Sequence, residues 1–483
     1  MFTRSWIARR PEHARLTVML SRRHFLQASA AAVTIVALPS AVRAGGMRRL
    51  TAAPARLPVV GAPHPETDVW AYDGRLPGPL LRVKQGQRLR VRFENRLPQD
   101  STVHWHGIRL PNAMDGVPGL TQDAVKPGAG FDYDFACEDA GTFWYHPHWG
   151  SAEQVGRGLS GMLVVDEAVP PVADRDVAWV LGDLRLDRSA QITADFRNPM
   201  DLSHGGRFGN TPLFNGRLAG DFALRAGERL RLRLLNTANA RIFELQFGDH
   251  APWLIALDGH PVPPRRLGAE EVLLLGPGMR ADLMLDATGM PGSRHSVIDT
   301  GPDGRRYRLV DLVYDAAPPL RRDLPPVAAL APNPVAEPDL AAAERLPLVL
   351  GGGAMGGLAE MTVDGQAMGL REAFQRHRVA WALNGQAHSD GSHMHAPLFS
   401  LARGRSYVFA IDNDTAWPHP VHLHGHTFRV LSEPGRPFRD TVLVQPRQKA
   451  EIAFVADNPG DWMLHCHILE HQAAGMMATV RVA

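Results

Sequence analysis

Cysteine and lysine are almost missing from this chain of 483 residues, which holds two cysteines, Cys137 and Cys466, and three lysines, Lys84, Lys126 and Lys449, beside 22 histidines. Two thiols allow one disulfide at most, which excludes a disulfide-stapled scaffold in any compartment. The scarcity of lysine stands beside abundant arginine and reads as coding bias. An excess of one charge is also missing: 52 basic residues face 50 acidic ones, leaving a net charge of +2 and no basic footprint for nucleic acid. Long apolar runs are lacking too. The stretch Ala28 to Leu38 falls well short of the ~20 residues that a membrane-spanning helix needs, so no stable membrane insertion is expected.

A composition of 45% hydrophobic and 21% charged residues excludes a disordered or collagen-like chain. At roughly 150 residues per domain the length predicts about three domains. The N-terminus carries Ser21-Arg22-Arg23-His24-Phe25-Leu26-Gln27, then the Ala28 to Leu38 segment and a small-residue site ending at Ala44. That order resembles a Tat export signal over residues 1–44, with a periplasmic mature chain expected from Gly45.

The remainder alternates in short β-type runs, such as Arg88 to Phe93 and Arg229 to Leu234, separated by Gly and Pro turns. These runs sit in an internal repeat. Gly86, Asn95 and His104 are spaced nine and nine; Gly404, Asn413 and His422 repeat that spacing; the middle copy has Gly227 and Asn236 but then Leu245. Pro127, Gly141 and His146 match Pro446, Gly460 and His465 at 14 and five, whereas the middle copy runs from Pro277 to Gly292 and reaches Val297 or Asp299 without a histidine. Three related β-domains are expected at 45–168, 169–317 and 339–483, the middle one without ligands. Glu167 to Asp174 joins the first two, and the linker 318–338 carries seven prolines in 21 residues.

Four His-x-His pairs occupy the terminal copies: His104/His106, His146/His148, His422/His424 and His465/His467. On a strand, residues i and i+2 share a face, so each pair aims both imidazoles one way. Eight such rings from two domains converge only at the interface between those domains. Imidazole alone does not name the metal, but Cys466 does. By parity it points to the opposite face from His465 and His467, as His419 does against His422, and His471 and Met476 follow five and ten residues later. Two histidines, a thiolate and a weak methionine form the blue-copper electron-transfer set.

The segments His104-Trp-His-Gly, His146-Pro-His, His419-Pro-Val-His-Leu-His-Gly and His465-Cys-His-Ile-Leu-Glu-His-Gln-Ala-Ala-Gly-Met resemble the four signatures of the multicopper oxidases, and the resemblance spans the whole mature chain. It implies an all-β chain of three cupredoxin-like Greek-key β-sandwich domains with four coppers. Type 1 copper would be held by His419, Cys466, His471 and Met476, and type 2 by His104 and His422. The type 3 pair would be held by His106, His146 and His467 on one ion and by His148, His424 and His465 on the other. The implied reaction is one-electron oxidation of phenolic or aromatic donors, or of low-valent metal ions, coupled to four-electron reduction of O2 to water by a monomer.

Further positions refine this picture by the same resemblance. Met476 implies a lower type 1 potential than the Leu or Phe of many fungal laccases. Asp115, nine residues after His106, matches an acidic residue that supplies protons near the cluster, although Asp-Gly is also a common turn. Gln472 stands where many bacterial members carry a glutamate relay, and an amide cannot exchange protons as a carboxylate does. Thr415 and Trp417 occupy the Asp and Met positions of the cuprous oxidases. Met355, Met361 and Met368 with His388, His393, Met394 and His395 form a modest soft-ligand cluster, weighed against a loop with incidental methionines. The alternative function is a periplasmic copper-resistance protein, acting by cuprous oxidation or sequestration. Cys137 is expected to be a core residue.

Overall fold

The computed structural model describes residues 46–218, 220–301, 304–389 and 396–483. The export signal expected at 1–44 lies outside these residues, as do His393, Met394 and His395. Strand accounts for 45% of the chain and helix for 7%, so the fold is all-β.

Six sheets fall into three consecutive pairs. Two four-stranded sheets use strands between Arg48 and Asp166; a six- and a five-stranded sheet use strands between Arg175 and Tyr314; a nine- and a five-stranded sheet use strands between Glu344 and Val482. The repeat is visible in the topology. Arg48–Leu57 runs parallel to Arg88–Asn95, Arg175–Leu184 to Arg229–Asn236, and Glu344–Gly352 to Ser406–Asn413. A second parallel contact recurs between Leu81–Lys84 and Gly161–Asp166, Asp221–Leu224 and Tyr307–Tyr314, and Phe399–Leu401 and Met477–Val482. Strand register also aligns the three copies: His104 faces His146, Leu245 faces Asp299, and His422 faces His465. Of the two candidates in the middle copy, Asp299 is therefore the equivalent of the second histidine.

The repeated asparagine has a structural reason that does not involve metal. Asn95, Asn236 and Asn413 are fully buried, and each Nδ2 donates to carbonyls of two loops: Gln99 and Val125, Arg241 and Leu275, Trp417 and Val444. Each Oδ1 accepts from the backbone N–H two residues on. An amide that joins the start and end of a connection in this way is needed whether or not a ligand follows.

One strand departs from its pattern. Arg88–Asn95 alternates exposed arginine with buried apolar residues, but Arg229–Asn236, with the same Arg-Leu alternation, is buried on both faces. Its arginines are paired: Arg229 with Asp286, Arg231 with Glu167 and Asp282, and Arg233 with Asp176 and Asp282. Thr142 of the first sandwich donates to Asp282 at 2.6 Å, so this polar face is an interface. The proline-rich segment is docked rather than free: Asn333 exchanges hydrogen bonds with the backbone of Ala140, and Glu337 pairs with Arg429.

His260 lies buried where this segment meets the second and third sandwiches. Nδ1 accepts from Asn333 Nδ2 at 3.2 Å and Nε2 donates to Thr427 Oγ1 at 3.2 Å. Burial pushes its titration down from 6.5 to about 4. As pH falls through 6.5 the unfolded chain binds a proton that the folded chain refuses, so stability is lost between about pH 6.5 and 4, by up to about 3 kcal/mol. Urea midpoints followed over that range should fall less steeply in His260→Gln than in the parent; parallel curves would remove His260 as a cause.

Candidate metal centre

The site is built from strand ends. His104–His106 pairs with Gly141–His146, and His419–Leu423 pairs with Gly460–Cys466. His148, His424 and His467 lie just past their strands, so strand parity governs only the first pair completely. The eight rings are buried at the contact between the first and third sandwiches. Two stacked pairs cross that contact, His104 on His424 at 3.9 Å between ring centres and His106 on His422 at 3.8 Å. The first histidine of each copy thus stacks on the second of the other, as a pseudo-twofold requires.

Two of the His-x-His pairs, His104/His106 and His422/His424, have both members in one group, whereas His146/His148 and His465/His467 do not. Ligand atoms of His148, His424 and His465 converge, as do those of His104, His106 and His146, and those of His104, His422 and His424. The His467 ring lies 4.9 Å from His106 and 5.3 Å from His146, between ring centres. The expectation that each pair aims at one point therefore holds for His104/His106 and His422/His424 but not for His146/His148 and His465/His467, whose second members lie past the strand end.

Outer hydrogen bonds set which nitrogen faces inward. A carbonyl can only accept, so Nδ1 donates in His104 to Asp115 O, in His422 to Asp440 O, in His146 to Pro147 O and in His465 to Cys466 O. His424 Nδ1 donates to Asp115 Oδ2 at 2.8 Å. The Nε2 atoms of these five rings therefore carry lone pairs. His424 Nε2 and His465 Nε2 face each other at 3.0 Å with no proton between them, and the Nε2 atoms of His104, His146, His148 and His422 are buried without a partner. Burial with neighbouring imidazoles pushes His106, His146, His148, His424, His465 and His467 well below their ordinary titration, so the rings are neutral. Unpaired buried nitrogens cost about 1–3 kcal/mol each, and so many converging lone pairs fit cations with imidazole affinity such as copper.

A second group occupies the other face of Gly460–Cys466. His419 Nδ1 lies 3.4 Å from Cys466 Sγ, His471 Nδ1 lies 3.6 Å from it, and the two Nδ1 atoms are 3.1 Å apart. Their outer nitrogens are taken: His419 Nε2 by Thr415 Oγ1 at 2.8 Å and His471 Nε2 by the His204 carbonyl at 2.6 Å. Met476 is buried in the same core, and its backbone bonds to both Cys466 and His471. Burial raises the Cys466 thiol and pushes His471 down to about 3, so the donors are a thiol and neutral imidazoles that a metal would turn to thiolate coordination.

Several residues here escaped the sequence reading. Asp440 mirrors Asp115: its carbonyl holds His422, and Oδ1 accepts from His106 Nε2 at 3.0 Å. It follows His422 by 18 residues whereas Asp115 follows His104 by 11, so the repeat spacing hid it. Thr415 is one residue of the altered Asp/Met stretch and orients His419. Glu470, its carboxyl raised to about 6 by burial, accepts from Arg207 N and Asn239 Nδ2 and ties the short helix Leu469–Ala473 to the middle sandwich. Asp115 closes the 3-10 turn Asn112–Met114 and also accepts hydrogen bonds from His104 and His424. Gln472 is buried with Oε1 unpartnered. Met361 and Met368 face each other across a hairpin in a small apolar core, while Met355 is 70% exposed. Cys137 is buried and unpaired, its thiol pushed up to about 12 by burial.

Comparison with known proteins agrees with this geometry. Multicopper oxidase family models match residues 58–169, 186–298 and 365–483. The multicopper oxidase MmcO of Mycobacterium tuberculosis is 31% identical, over 88% of this chain and 85% of its own. A laccase of Neurospora crassa is 27% identical, over 84% of this chain and 73% of its own. The crystal structure of a multi-copper oxidase from Pseudomonas thermotolerans covers 91% of this chain and all of its own, with a TM-score of 0.80 and 37% identity. Three matched segments, two histidine-rich sandwich ends and a cysteine set between two of the histidines lead to one conclusion: the chain belongs to the multicopper oxidase family.

Proposed function

We propose that the protein is a laccase-like oxidase with four coppers: type 1 at His419, Cys466, His471 and Met476; type 2 at His104 and His422; and a type 3 pair at His106, His146 and His467 and at His148, His424 and His465. The observation that carries this reading is the placement of Cys466, whose thiol joins His419 and His471 while its chain neighbours His465 and His467 turn to the eight-histidine cluster. Copper bound there supplies one-electron redox chemistry and a place for O2 reduction. The chain's own part is to hold neutral imidazoles in fixed tautomers, to link the two sites through the peptide of Cys466, and to hold a carboxylate, Asp115, beside His424 and His104 as a proton source.

On the substrate side, His471 is covered by the His204 backbone, with Trp417 against the half-buried His204 at 5.6 Å, while the fully buried Trp381 backs the His471 ring from inside at 4.2 Å. The partly exposed rings of Trp417 and His204 suit phenolic donors. Burial of Met361 and Met368 removes two of the four methionines that a soft-ligand route for Cu(I) would use, so copper resistance gains no support from them. The twin-arginine pattern supports a periplasmic location; among the described residues no helix is long and apolar enough to cross a membrane. An oxygen electrode tests the substrate: rapid uptake with 2,6-dimethoxyphenol and slower uptake with Cu(I) or Mn(II) is expected, with or without added Cu(II). Uptake with Cu(I) alone would transfer the protein to the cuprous oxidases.

A further inference from the structure

The middle sandwich contributes no ligand, yet one of its turns, Pro277 to Arg280, reaches two of the ligand histidines. We propose that this turn positions one half of the type 3 copper pair, the half held by His106 and His467; this rests on the ligand assignment of the preceding section. Arg280 is fully buried and all five of its N–H groups are engaged. Nη1 donates to Asp440 Oδ1 at 2.8 Å and to Gly278 O, Nη2 donates to Asp440 Oδ2 at 2.5 Å and to Asp258 O, and Nε donates to Thr142 O. A bidentate fork of this kind fixes the plane of a carboxylate as well as its place. Asp440 Oδ1 then accepts from His106 Nε2, which leaves His106 Nδ1 as a buried lone pair without a partner.

Two glycines confirm how close the approach is. A Cβ on Gly107, which follows His106 and has φ +84°, would overlap Asp440 Oδ2 and Arg280 Nη2. A Cβ on Gly278, φ +80°, would lie 2.8 Å from Cδ2 of His467. The His467 ring has neither nitrogen hydrogen-bonded, so packing alone holds it: the bare backbone of Gly278 on one edge, with the rings of Trp144, His106 and His146 around it. The other half of the pair is set differently: His424 by Asp115 and His465 by the carbonyl of Cys466. The two sets of ligand side chains thus have separate supports, and one support belongs to the sandwich that lacks the paired histidines.

The test uses the copper-loaded full chain and two variants, Arg280→Lys, which keeps the charge but not the fork, and Gly278→Ala. Loss of an outer partner weakens a metal site about 10–100-fold. Under mild chelation both variants are expected to keep the blue type 1 absorption and to lose about one copper per chain more than wild type. The remaining type 3 ion, no longer magnetically coupled, should then give a new paramagnetic resonance signal. Wild-type copper retention with a silent, coupled pair in both variants would overturn the proposal. So would loss of the blue band together with all the copper, which would mark a purely structural role. A wild type with four coppers but no coupled pair would instead overturn the ligand assignment beneath it.

Discussion

Replacing Cys466 by serine is expected to abolish both the blue colour and the oxidase turnover of the copper-loaded protein. Sulfur-to-copper charge transfer needs a thiolate, and a serine hydroxyl stays protonated and binds copper weakly. The substitution is nearly isosteric, so the strand Gly460–Cys466 and the histidines on its other face should persist, with the cluster ions still bound. Activity should fall below detection with every donor, because on the proposed assignment electrons would enter at this one residue and pass to its neighbours His465 and His467. A colourless copper-loaded wild type, or a serine variant that still consumes oxygen with a phenol, would defeat the assignment.

The second large effect is expected at Asp115. Its carboxylate accepts from His424 Nδ1 at 2.8 Å and lies 3.2 Å from His104 Nδ1, and it is 1% exposed. Asp115→Asn keeps an oxygen to receive the His424 proton but loses the negative charge and the capacity to exchange protons. Proton transfer by a positioned group is worth about 10²–10⁴-fold, so oxygen reduction should slow by at least about tenfold while the blue absorption stays. Gln472 offers no compensating relay. Steady-state oxygen uptake, with copper content measured on the same sample, separates the cases: an unchanged rate removes the role, and a slow variant that has also lost copper makes Asp115 a support for His424 alone.

The ligand chemistry was legible because it depends on residue identity and on spacings shared by two copies of one domain. Asp440 and Arg280 were not legible: 160 residues separate the two, and neither has a local pattern to mark it. The parity argument placed Cys466 and His419 on the face opposite the His465 side, but it could not group the eight histidines, since three of the four pairs straddle a strand end. For the methionine cluster composition could not decide, because exposure makes a thioether available, and Met361 and Met368 face each other in a core.

By itself, then, the amino-acid order determined the threefold β-repeat, the absence of the paired histidines from the middle copy and the grouping of two histidines with a thiol, because side-chain identity and short periodicity are local properties. Tertiary structure alone decided which imidazoles meet, that the Arg-Leu alternation of Arg229–Asn236 is buried against carboxylates of the same and the neighbouring sandwich, and that the ligand-free domain reaches into the cluster through Arg280 and Gly278. Each of these depends on contacts between segments far apart in the chain, whose geometry follows from how the sandwiches pack and leaves no trace in the spacing of neighbouring residues.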